Sequence, residues 1–171
     1  LVDHGLASQE AVDAALASQR NKSARLGDLL VDLHGVDPFA ITQALGMQFE
    51  MPCLERLRID EVDLDLLDAV PIAYARSRKV LPLRQAGDVV QVAIADPLDL
   101  AALDQVGHAL RSSTEPVLVP GPALLEAVNM AYDKHDRRRG SYGDMLGSDE
   151  SRSTNEVVEP GFEDVVDLLG A

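Results

Sequence analysis

The stretches LVDHGLASQEAVDAALASQ, residues 1–19, and LVDLHGVDPFAITQALGMQ, residues 30–48, are one short sequence written twice. At an offset of 29, seven of nineteen positions are identical: Leu1/Leu30, Val2/Val31, Asp3/Asp32, Ala11/Ala40, Ala15/Ala44, Leu16/Leu45 and Gln19/Gln48. Most other apolar positions keep their character, as Val12/Ile41 does. A repeat this short implies two copies of a helical unit that bury their apolar faces together. Gly5 and Gly35 read as helix ends, because glycine accepts the left-handed conformation that closes a helix. Ser8 and Asp37 read as N-caps of the helices that follow, and Pro38 suits a first turn, where its missing N–H costs nothing.

Beyond the repeat, Phe49–Leu57 reads as irregular, with Pro52 as a breaker. Asp60–Leu67 reads as a short helix, and Pro71 opens another over Ile72–Arg78. The period then changes. Val80–Gln85 and Val89–Ala95 are rich in β-branched residues and separated by Ala86-Gly87-Asp88, the pattern of a hairpin. Asp96-Pro97 is expected to cap and start a helix to about Leu110, followed by a strand over Thr114–Val119 and a helix over Pro122–Tyr132. The order β-β-α-β-α predicts a small α/β sandwich with helices on one face. The fold expected is therefore α+β: a helical repeat part (1–57), a three-stranded α/β sandwich (58–135) and an acidic, disordered tail (136–171). Within the tail, Phe162, Val165, Val166, Leu168 and Leu169 read as one face of a short helix.

Composition narrows the function. Of 171 residues, 46% are hydrophobic and none is Trp, so aliphatic side chains must build the core. The net charge of −14 repels nucleic acid and anionic membrane in bulk, so an anionic ligand needs a local basic pocket. A single cysteine, Cys53, excludes an internal disulfide and a cysteine metal cluster. No stretch approaches the length of a membrane span. The first residue is Leu rather than Met, so a fragment or processed chain is expected. His4, His34, His108 and His135 lack metal-ligand spacing. Asp96 and Asp99 read as a cap and a first-turn acid, and the basic cluster from Lys134 to Arg139 as a helix end that complements the dipole. Neither a phosphate-cradling glycine loop with its lysine nor a nucleophile with its base is present.

Arg25-Leu26-Gly27, Leu30-Val31, Ile41, Leu45 and Gln48 match a known pattern. They resemble the 24-residue motif of the N-terminal domain of type II secretion and type IV pilus assembly ATPases, the MshEN type; Arg25 to Gln48 is 24 residues. Arg20–Ala24 corresponds to the family's spacer between copies. Pro71-Ile72, Val80-Leu81-Pro82, the run Val92-Ala93-Ile94-Ala95-Asp96-Pro97-Leu98-Asp99 and Ala131-Tyr132 extend the resemblance to about residue 135. Two departures stand out: the first copy begins at its sixth position, without an Arg-Leu-Gly, and His34 stands where the motif has Gly.

The resemblance implies a non-enzymatic regulatory or adaptor domain, cytoplasmic and peripheral to the inner membrane only through a protein partner. It implies no cofactor, and as ligand cyclic di-GMP, held by Leu1, Val2, Leu16 and Gln19 of the first copy and Arg25, Leu26, Gly27, Leu30, Val31, Leu45 and Gln48 of the second. Arg25 can donate paired hydrogen bonds to a phosphate or guanine edge. Gly27 permits close backbone approach, and both glutamines suit polar base edges. Arg20, Lys22 and Arg25 make a positive patch in an acidic chain. For the aliphatic positions a core role is the preferred reading; for Arg25 with the two glutamines it is the ligand. The protein partner that the resemblance implies in this reading is the secretion or pilus ATPase core. In the competing reading the chain docks on the cytoplasmic domain of an inner-membrane platform protein and takes no nucleotide.

Overall fold

In the computed structural model, residues 7–20 and 25–147 are described, together with Val2 and Gly5; for 142–147 only the backbone is described. Helix α1 (Gln9–Gln19) starts at Ser8, whose hydroxyl accepts the Ala11 amide at 3.2 Å. Helix α2 (Leu26–His34) begins after an extended Arg25 and ends at Gly35, at φ +61°. Asp37 caps α3 (Pro38–Phe49) by accepting the Phe39 amide at 3.1 Å, with Pro38 in the first turn. Gly5 is also left-handed, and its amide reaches the Val2 carbonyl at 2.9 Å. These caps are where the sequence places them.

The three helices enclose a small core of Ala15, Leu29 and Leu30, against which Ala11, Val12, Leu26, Val36 and Ile41 pack. Val12 and Ile41 occupy equivalent places in the two copies, so like positions do share one core. The symmetry breaks one turn later. Leu45 packs against the larger core of the sandwich, whereas Leu16, its counterpart, is 42% exposed. The second copy has a neighbour at that position that the first lacks.

The chain then passes through two 3₁₀ turns, Ile59–Glu61 and Leu64–Ala69, where one short helix was expected. It continues as α4 (Ile72–Arg78), β1 (Val80–Ala86), β2 (Val89–Ile94), α5 (Leu100–Leu110), β3 (Ser113–Leu118) and α6 (Gly121–Gly147). Strands β1 and β2 pair antiparallel across a turn with Gly87 at φ +61°, and β2 pairs β3 in parallel, giving the order β1-β2-β3. A register shift between Pro82 and Arg84 and the proline itself blunt the β1 edge, where the Asp63 amide caps the Leu83 carbonyl at 2.6 Å.

Three sequence expectations are corrected here. Pro52 does not merely break the chain: its carbonyl accepts the Leu118 amide and the Leu54 amide reaches the Leu118 carbonyl, each at 2.8 Å, so Cys53 adds a one-residue bridge beside β3. The sheet is not bare on its second face. Val80 to Leu83 and Val92 to Ile94 are buried in succession, and successive strand residues point to opposite faces, so both faces are covered at that end. Finally, α6 runs to Gly147, past the Asp136 at which irregular chain was expected. The Arg and Met residues there favour helix, and no Pro interrupts them. The rest of the expected disordered tail, 148–171, with the apolar face from Phe162 to Leu169, lies outside the described residues.

Leu1–Asp136 falls in one unit, and the chain from Arg137 on is assigned to another. In the first, Leu124, Ala127, Val128 and Ala131 form the buried stripe of α6. Around it, the Tyr132 hydroxyl donates to the Val70 carbonyl, Arg76 Nε donates to Asn129 Oδ1 at 2.7 Å, and a His135 ring nitrogen lies 3.0 Å from Asp68. Burial pushes the Tyr132 phenol up from near 10 to about 12. The unfolded chain therefore ionises first, so the stability this group contributes is full below about pH 10 and is lost as the pH rises toward about 12. Ultraviolet titration of tyrosinate should show a late component that Tyr132→Phe removes; ionisation of all tyrosines together near pH 10 would contradict it.

Candidate functional site

Arg25 stands at the mouth of α2, before its first turn, and supplies no side-chain cap. Its guanidinium instead reaches across to Asp96, in the turn after β2, at 2.7 Å. Arg25 remains 70% exposed, so most of its five N–H donors still face outward. The first amides of α2 beside it are the positive end of a helix dipole, countered in part by Asp28. Such a place suits a group that offers two acceptors side by side: a phosphate, or the edge of a purine.

The Asp96-Pro97-Leu98-Asp99 turn fixes this arrangement from the sandwich side. Asp96 Oδ1 accepts the Leu98 amide at 3.1 Å, leaving Oδ2 for Arg25. Asp99, not Asp96, is the N-cap of α5: it accepts the Ala102 amide at 3.2 Å and pairs with Arg78 at 2.6 Å. One tetrapeptide thus ties down the start of α2 and the end of α4. Asp96 was read from the sequence as a helix cap. Nothing in the spacing could have shown its role, because it lies 71 positions from Arg25.

The other expected residues fall into distinct environments. Leu30 has no exposed surface and is purely core; Leu26 and Val31 are half-buried. Leu45 is half-buried against the sandwich. Gln19, at the end of α1, and Gln48, in the last turn of α3, are exposed, as are Leu16 and Val2. Leu1 and Lys22 lie outside the described residues. Gly27 has a structural reason of its own, since a Cβ there would meet Ile41 Cγ2 at 3.0 Å. Its absent side chain lets α2 and α3 approach closely.

Among the described residues, no cluster of His, Cys, Asp and Glu could hold a metal, and no helix is long and apolar enough to cross a membrane. Burial pushes the Cys53 thiol up, against the opposing effect of the Gly46 amide, so it is no activated nucleophile.

A model of the MshEN domain matches residues 45–138. The type IV pilus assembly ATPase PilB of Myxococcus xanthus is 26% identical over 161 residues, which are 93% of this chain and 28% of that protein. PilB of Thermus thermophilus is 29% identical over 134 residues, 77% of this chain and 15% of that one. The chain thus spans under a third of either relative. Among solved structures, that of MshE with cdg (cyclic di-GMP) superimposes with a TM-score of 0.63 at 28% identity, covering 77% of this chain and 95% of that one.

Proposed function

Because the chain belongs to the MshEN domain family, we propose that it is a non-catalytic regulatory domain of a pilus or secretion ATPase and that it binds cyclic di-GMP through its tandem motif. The observation that carries this reading is the convergence of both motif copies on one small core, with Arg25 exposed at its edge and steadied by Asp96. The likeness to MshE with cdg supports the same ligand. Arg25 then donates to a phosphate or guanine edge, the α2 amides favour the ligand's negative charge, and the exposed glutamines meet polar base edges. Leu26, Val31 and Leu16 supply apolar contact, while Leu30, Leu45 and Gly27 hold the helices in place.

Calorimetric titration with cyclic di-GMP tests this. The chain is expected to bind, and Arg25→Ala to weaken binding by about 10- to 100-fold, the value of a charge-assisted pair of hydrogen bonds. Equal affinity of variant and parent removes Arg25 from the site; no binding by the parent removes the ligand.

The same reading places the chain in the cytoplasm beside an ATPase core, without turnover of its own. Docking on the cytoplasmic domain of an inner-membrane platform protein is the second reading. It is favoured by the family match over residues 45–138, which begins near the end of the second motif copy. Capture of such a partner that survives Arg25→Ala, together with absent nucleotide binding, would select it.

A further inference from the structure

A cleft of about 610 Å³ opens on a different part of the molecule, between the Val70-Pro71 step into α4 and the outer side of α5. Val70 and Val106, both nearly fully buried, line it, with Pro71, Tyr74 and Ala109 beside them. Its volume is that of a ligand-sized recess. Asp104 also lines it; this carboxylate is exposed and has no hydrogen-bond or ion-pair partner among the described residues. No Lys or Arg lines the cleft; His108 is the one basic side chain on its wall. Helix α5 carries neither along Leu100–Leu110.

We propose that this cleft is the docking groove for a cationic amphipathic helix of a partner protein. Charge decides among the occupants. A second copy of this chain would bring another net −14 to an acidic surface, and an anionic ligand would meet Asp104 directly. A helix with Lys or Arg flanking an apolar stripe satisfies both the unpaired carboxylate and the apolar walls. The walls belong to helices and a helical turn, whose backbone groups are bonded internally, so an added strand would find no edge to pair with. Side-chain anchors at i, i+3, i+4 and i+7 are the recognition mode that such walls permit. None of these residues belongs to the Arg25 site, so the inference does not depend on cyclic di-GMP.

The test is a chemical-shift titration of the full isotope-labelled chain with a synthetic peptide of about 18 residues that places Leu at helical spacing and Lys elsewhere. Shifts are expected at Val70, Tyr74, Gln105 and Ala109. Ala109→Arg, a substitution at an exposed position, should abolish them, and Asp104→Lys should weaken binding by about tenfold at low salt. A counterpart peptide with Glu for Lys should not bind. Shifts confined to another surface, equal binding of the Glu peptide, or unchanged affinity in folded Asp104→Lys would each overturn the proposal. Asp104→Lys stands as the arbiter if Ala109→Arg does not fold.

Discussion

Gly46→Ala is expected to destabilise the chain by about 3 kcal/mol, the upper range for forcing an extra methyl into packed surroundings. Gly46 lies in the last turn of α3, and a Cβ built there overlaps Cys53 Sγ outright and stands 2.9 Å from the Met51 carbonyl oxygen. Neither neighbour can yield easily. Met51 is itself tied to α3, its amide donating to the Gly46 carbonyl at 3.0 Å. Cys53 is fixed by the bridge to Leu118. The glycine therefore sets how closely α3 approaches the sheet edge. Urea denaturation measures the loss, and a double-mutant cycle with Cys53→Ala should recover part of it, since the sulfur clash goes but the Met51 contact remains. A Gly46→Ala protein as stable as the parent would show that α3 does not press on the bridge.

Leu118→Ala is expected to cost about 4 kcal/mol, within the range for deleting a buried leucine side chain. Leu118 is fully buried, pairs with Ile94 across β2, and exchanges two hydrogen bonds with Pro52 and Leu54. Those bonds are made by its backbone and survive the substitution, so the loss is one of packing alone. Thermal or urea unfolding should show it in full. A cost near 1 kcal/mol would mean that the sandwich core collapses readily into the gap.

Much of this architecture was legible in the chain. Ser8, Gly35, Asp37 and Pro38 announce their roles because caps and helix ends are decided within a few residues. The repeat was visible as Val12 against Ile41, and both do pack on one core. What escaped was non-local. Leu16 and Leu45 are the same residue in the same motif position, yet only one meets the sandwich. Pro52 looked like a breaker because its partner, Leu118, is far along the chain. Asp96 looked like a cap because a carboxylate before a helix normally is one; Asp99 takes that place and leaves Asp96 to Arg25. The exposed place of Arg25 at the start of α2 was legible, since an arginine at a helix start stands out among so many acids.

Mapping amide shifts on the full chain as cyclic di-GMP is added is the most direct test of the tandem motif as a ligand site. Changes are expected to concentrate at Leu26, Gly27, Gln19 and Gln48 and at Asp96 and Leu98 across the ion pair. Saturating ligand that leaves those amides in place, or moves only residues of the sandwich distant from Arg25, would contradict it.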